Sequence, residues 1–176
     1  MITVDDANRT HDDEFIRLVE SYQLSILQLC FTYLHDKSLA EDAVQETFLK
    51  AYRNFGLFRK ESSEKTWISH IAINCCRDMN KSGWFRHFDR TVTPDMLPAS
   101  TQNSLALDNE VLLEVMKLPI RLRETVLLYY FEDMTSVEIA DVLHISQQAV
   151  SARLKRALAR LQKTLGESFE EGEFDA

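Results

Sequence analysis

The stretch IADVLHISQQAVSARLKRALARL, residues 139–161, gathers the side chains best suited to chemistry with another macromolecule. After Asp141 it has no acidic residue and carries Arg153, Lys155, Arg156 and Arg160, although the whole chain has a formal net charge of −8. Cations hold phosphates, and the amides and hydroxyl of Gln147, Gln148 and Ser151 can hydrogen-bond base edges in a major groove. Ser146 can cap a helix here, and the free amides of the first turn can meet a phosphate. The chemistry indicated is recognition of DNA.

A row of this kind works only if its helix is held from behind. At about 100° per residue, Val150, Leu154, Leu158, Leu161 and Leu165 fall in an arc of about 80°, which marks a buried stripe. Ala152, Arg156 and Lys163 lie opposite, flanked by Arg153 and Arg160 on one side and by Gln148 and Lys155 on the other. Small Ala149 and Ala152 allow close approach to a groove. Upstream, TSVE at 135–138 predicts a capping box of Thr135 with Glu138, opening a short helix that stops near His144. Val137, Ile139, Ala140 and Val142 or Leu143 pack that helix on the stripe. Two helices joined by three or four residues, the second one basic, form a helix-turn-helix. An isolated basic helix is as readily a solvated face. The supporting helix favours DNA.

The rest of the chain also reads as helices. Between residues 12 and 34, Phe15, Leu18, Val19, Tyr22, Ile26, Leu29, Cys30 and Tyr33 recur at three- and four-residue steps. SLAE predicts a second helix with a Ser38–Glu41 capping box and an apolar stripe of Ala43, Val44, Thr47, Phe48, Ala51, Tyr52 and Phe55. Asp42, Gln45, Glu46 and Lys50 stand outside that stripe. Ser62 or Ser63 caps a third helix with Trp67, Ile68, Ile71, Ala72 and Cys75 inward, ending near Gly83. It carries Lys65, Asn74, Arg77 and Lys81. Cations interleaved with aromatics suit an unpaired strand. Trp67 at helical spacing is more readily core, Phe58 in its loop could serve either role, and Asn74 could be a plain polar helix residue. After Gly83, Pro94 and Pro98 sit among Thr, Ser and Asn without a sustained period, which reads as a linker. Beyond it come a helix over roughly 107–117 and one opened by Pro119 that carries Leu122, Val126, Leu127, Tyr130 and Phe131.

Composition sets the limits. With 45% hydrophobic residues, four glycines and three prolines, the chain can fill helical cores and is not globally disordered. Cys30, Cys75 and Cys76 are too few and too oddly placed for a disulfide framework or a metal pair, and read as reduced, partly buried thiols. His11, His35, His70, His87 and His144 are scattered, and no metal-binding, phosphate-loop or nucleophile motif is present. No catalytic residue, metal or cofactor is expected. The N-terminus has no signal-peptide pattern, and no apolar run approaches the roughly 20 residues of a membrane span, so a soluble cytoplasmic protein without membrane insertion is expected.

Two motif sets, AEDAVQETFLKAYRNF…FR…TWISHIAINCCRD and LPIRLRETVLLYYFEDMTSVEIADVLHISQQAVSARLKRALARL, closely resemble bacterial RNA polymerase sigma factors of the extracytoplasmic-function (ECF) group. The resemblance covers about residues 12–165. It implies an all-α chain of two small helical domains joined by a flexible linker. These are sigma region 2 at 10–82, the linker at 83–108 and sigma region 4 at 109–167, with an acidic tail at 168–176. It implies that region 2 binds the β′ clamp helices of core RNA polymerase through the face of Asp42, Gln45 and Glu46. The same region would recognise and melt the −10 element through Phe58, Lys60, Ser62, Ser63, Lys65, Thr66, Trp67, Asn74 and Arg77. Region 4 would read the −35 element of promoter DNA through Ser146, Gln147, Gln148, Ser151, Arg153, Lys155 and Arg156 and hold the β-flap. A membrane-anchored anti-sigma factor is the implied regulator, acting on envelope stress. Two departures stand out: Lys60 where the family loop often has glycine, and a His144–Ile145 turn without the usual glycine. The rival reading is a stand-alone helix-turn-helix regulator that binds duplex DNA unaided.

Overall fold

The computed structural model describes residues 4–58, 62–81 and 109–166, and every regular element among them is helical. Lys60, the expected linker and the expected acidic tail lie outside the described residues. The chain divides into two units, residues 1–90 and 91–176.

In the first unit, α1 (Val4–Leu34) begins well before the apolar period that marks it in the sequence. Its first turns are polar and carry no such signal. Leu18, Ile26, Leu29 and Cys30 point into the core. α1 ends where His35 turns left-handed at φ 58°, with the His35 N–H on Phe31 O at 2.8 Å. Asp36 is then extended, and its Oδ1 accepts from the Leu39 N–H at 3.0 Å. Asp36 therefore caps α2 (Lys37–Asn54), in place of the expected Ser38–Glu41 box. Ser38 already lies inside the helix, and Glu41 faces Lys37 across one turn.

The buried face of α2 is built from small residues. Ala40, Ala43, Thr47 and Ala51 have no exposure, and the Thr47 hydroxyl donates to Ala43 O at 2.6 Å. This lets α1 and α3 come close, while the larger Val44 and Phe48 are half-buried and Tyr52 is exposed. A 3-10 turn, Phe55–Leu57, follows. α3 (Glu64–Lys81) is capped by Ser63, whose Oγ accepts from the Thr66 N–H at 3.0 Å. It buries Ile68, Ser69, Ala72, Ile73, Cys75 and Cys76, leaving Trp67 and Ile71 half-buried. All three cysteines are buried and unbridged. Burial pushes the Cys75 thiol up, against an opposing pull from Thr47 and Lys50.

In the second unit, α4 (Asn109–Lys117), α5 (Ile120–Val126) and α6 (Ser136–Leu143) all pack on α7 (Gln147–Leu165). After α5 the backbone widens into a π turn, Leu127–Phe131, where the sequence pattern reads one continuous helix. The Thr135–Glu138 capping box forms as expected, with both reciprocal bonds present. Ser146 caps α7 by accepting from the Ala149 N–H at 3.2 Å. The stripe of α7 is buried at Val150, Leu154, Ala157 and Leu161, while Leu158 and Leu165 are half-buried. Burying each of the larger members contributes roughly 2 kcal/mol.

The α6–α7 turn manages without glycine. His144 takes the left-handed conformation at φ 53°. Its N–H reaches Asp141 O at 3.2 Å and the Ile145 N–H reaches Ala140 O at 3.0 Å, the paired bonds of a Schellman motif. A side chain other than glycine costs energy in this conformation. His144→Gly is expected to stabilise the second unit by about 0.5–1 kcal/mol, read as a higher urea midpoint at unchanged slope.

Candidate nucleic-acid interface

Stripe and cap together hold α7 by one side and by its first turn. At the start of α7 and away from the stripe, Ser146, Gln147, Gln148, Ser151, Lys155 and Arg156 are all exposed. Arg160 and Lys163 extend the exposed cationic side toward the C-terminal end, and no carboxylate of α7 opposes them. The first turn therefore offers amide and hydroxyl groups, and the next two turns offer charge. Base-edge hydrogen bonding and phosphate contact need that division.

Arg153 departs from the expected row. Its Nη1 donates to Glu124 Oε1 at 3.0 Å and to Arg121 O at 3.4 Å. Its side chain is 17% exposed and that of Glu124 only 4%. Arg153 lies on the flank of the α7 stripe, where an acidic group on α5 turns it inward. Sequence reasoning missed Glu124 altogether. The available signal was the charged pair Arg123 and Glu124 between Leu122 and Val126, on the apolar run of a helix that must be buried.

In the first unit, Phe58 and Trp67 stack at a centroid distance of 4.8 Å and an interplanar angle of 29°. Phe55 stands 6.2 Å from Trp67 on another side. Trp67 is thus neither fully core nor free, and Phe58 is half-buried against it. Ser62 and Ser63 are exposed at the head of α3, and Lys65 and Thr66 are half-buried in its first turn. Asn74 lies seven residues beyond Trp67, so about 20° from it around α3, with Arg77 one turn further on. Both are half-buried. Apart from Lys60, the expected group is therefore gathered on one end and one face of α3.

On α2, Asp42 and Gln45 are exposed, while Glu46 is half-buried and pairs with Lys50 at 3.4 Å. Leu49, seven residues after Asp42, shares their face and is 53% exposed. It too was missed. Its signal was an apolar residue standing away from the Ala43–Thr47–Ala51 stripe. No group of side chains suited to a metal ion occurs among the described residues.

Comparison with known proteins assigns the chain to a family. The family model of Sigma-70 region 2 matches residues 18–86, and that of Sigma-70 region 4 matches residues 108–161. The chain belongs to the sigma-70 family, in its ECF group. It is 29% identical over 167 residues to the ECF RNA polymerase sigma factor SigW of Bacillus subtilis, covering 87% of this chain and 89% of that one. It is 32% identical over 165 residues to the RNA polymerase sigma-H factor of Pseudomonas aeruginosa, covering 86% of each. Among solved structures, CnrH in complex with the cytosolic domain of CnrY has a TM-score of 0.65 at 25% identity, covering 88% of both chains. The sigma factor RpoE of Bartonella quintana, solved with the anti-sigma factor NepR, shares the fold with a TM-score of 0.70 at 22% identity, over 90% of this chain and 98% of that one. As a sigma factor, the protein binds core RNA polymerase and directs it to promoters. A stand-alone helix-turn-helix regulator would not carry region 2 at residues 18–86.

The buried pair of this sigma factor can be tested directly. Arg153→Met removes the ion pair to the buried Glu124 carboxylate and is expected to cost about 3 kcal/mol. Arg156→Met, on the exposed row, is expected to change stability by less than about 0.5 kcal/mol. The double variant Glu124→Leu/Arg153→Met is expected to recover most of the loss. Urea unfolding of the three proteins checks all three values.

Proposed function

We propose that this sigma factor reads two promoter elements with two separate surfaces. The exposed row Ser146, Gln147, Gln148, Ser151, Lys155 and Arg156 contacts the −35 element, amides on bases and cations on phosphates. Arg153 holds the helix rather than the DNA. The group Phe58, Lys60, Ser62, Ser63, Lys65, Thr66, Trp67, Asn74 and Arg77 captures the unpaired −10 strand. Unstacking a base costs a few kcal/mol, offset by stacking on flat rings and by hydrogen bonds to its edge. Asp42, Gln45 and Glu46, joined by Leu49, dock on the β′ clamp helices, and the apolar helices of the second unit hold the β-flap. The exposed polar row at the start and outer side of α7, on a helix held by a buried stripe, is the observation that carries this reading.

Bond-making chemistry belongs to the polymerase, and the protein works in the cytoplasm, where the polymerase is. A membrane-anchored anti-sigma factor covers the polymerase-binding surfaces until envelope stress removes it. The similarity to CnrH, solved with the cytosolic domain of CnrY, supports such a partner.

Run-off transcription with core polymerase across genomic promoter fragments is expected to yield discrete starts dependent on this protein. Absence of any specific start would refute the reading. Gln148→Ala/Arg156→Ala is expected to lower transcription from promoters that depend on the upstream element by about tenfold or more, with core binding unchanged. Filter binding and run-off on the same templates separate the two effects.

A further inference from the structure

Residues 11–17 of α1 precede the segment that matches sigma-70 region 2. They are nevertheless fastened to the elements around Phe58 and Trp67. Arg17 Nη2 donates to Glu64 Oε1 at 2.7 Å and Nη1 to Oε2 at 3.2 Å, a bidentate fork. Glu64 is the first residue of α3, one turn ahead of Trp67, so the fork grips that helix at the end bearing the ring. The Tyr52 hydroxyl at the end of α2 donates to Asp12 Oδ1 at 3.0 Å.

Rings fill the space between these polar ties. His11 sets its edge against Tyr52 at 5.8 Å and Phe55 at 5.2 Å. Phe15 does the same at 5.0 Å and 5.4 Å. Phe55 leads on to Trp67, and Trp67 to Phe58. Six rings thus form one connected run from α1 to Phe58. The first four contacts are edge-to-face, Phe55–Trp67 is tilted and Trp67–Phe58 is stacked, and aromatic pairs prefer such defined geometries.

The polar ties are not needed to close the core. Arg17 is 55% exposed at its side chain and Tyr52 is 48% exposed as a residue, while the interior is occupied by Leu18, Ile26, Ile68 and Ile73. A surface fork adds little stability on its own. It does tie the head of α3 to α1.

We propose that residues 11–17 form a positioning strut for promoter opening, holding the Phe58–Trp67 pair where the unpaired −10 strand meets it. This rests on the reading of that pair as the strand platform. Arg17, Phe15 and His11 are positioning residues that do not touch DNA themselves.

The test uses Arg17→Glu, Glu64→Arg and the charge-swapped double variant of the full chain. All are made in a Trp84→Phe background, so that Trp67 is the only tryptophan left of the two. Each single variant is expected to raise acrylamide quenching of Trp67 about twofold and to slow permanganate-detected opening of the −10 region about tenfold, as small misplacements do. Affinity for core polymerase is expected to stay within about twofold, and the swap to restore both quenching and opening to within about threefold of wild type. Arg17→Gln, which breaks the fork without reversing charge, is expected to move both readouts the same way. Wild-type quenching and opening in the single variants would overturn the strut. So would a loss that the swap does not repair, or one that core affinity shares. A wild-type protein that opens no promoter would remove the platform reading itself, while quenching would still decide whether residues 11–17 hold Trp67.

Discussion

Glu124 places a carboxylate in the interior of the second unit, and Arg153 is the cation that reaches it from α7. A buried charge without its partner costs several kcal/mol, so α5 and α7 are obliged to keep one separation and one rotation. Apolar contact alone tolerates small slides of one helix over another. An ion pair between a nearly buried carboxylate and a guanidinium does not. The position of the exposed row on α7 therefore depends on a buried group two helices away.

The first unit solves a similar problem with size instead of charge. Ala40, Ala43, Thr47 and Ala51 present so little volume that α1, α2 and α3 close up tightly. With the inner face made of small residues, larger ones are displaced outward. Leu49 and Tyr52 stand at the surface for that reason. The outward side of α2 can thus offer a partner both charge and apolar area while its inner side stays packed. The two units share a principle: what faces the partner is free because what faces the core is over-determined.

Much of this was legible in the sequence, though unevenly. Caps with strong local chemistry, Thr135–Glu138 and Ser146, could be read directly, because capping depends on a few adjacent residues. The α2 cap misled, because Ser38–Glu41 has the right spacing while the left-handed turn at His35 had already made Asp36 the extended residue. Three of the five expected stripe residues of α7 are buried, while Ala157 takes the buried place expected of Leu158 and Leu165 is half-buried. The expected place of Arg153 in the DNA-facing row follows from helical angle and resemblance, and neither reveals an acidic group arriving from another element. The Phe58–Trp67 stack was likewise beyond periodicity, since a loop residue and a helix residue share no repeat. The π turn at Leu127–Phe131 keeps an apolar pattern that looks like ordinary helix. Local signals survive in one dimension, whereas tertiary pairings do not.

The turn between α6 and α7 has a further consequence. Only His144, Ile145 and Ser146 separate the two helices, and each has a defined backbone role: left-handed stop, Schellman bond and cap. Its length is thereby a fixed count. Adding one residue at the start of α7 would advance the helix by about 100°, carrying the Val150 stripe toward water and the exposed amides toward the core. Point substitutions can drift across the exposed row and retune what it reads. Insertions and deletions in these three residues cannot, so lineages of this protein should diverge in letters there and never in length.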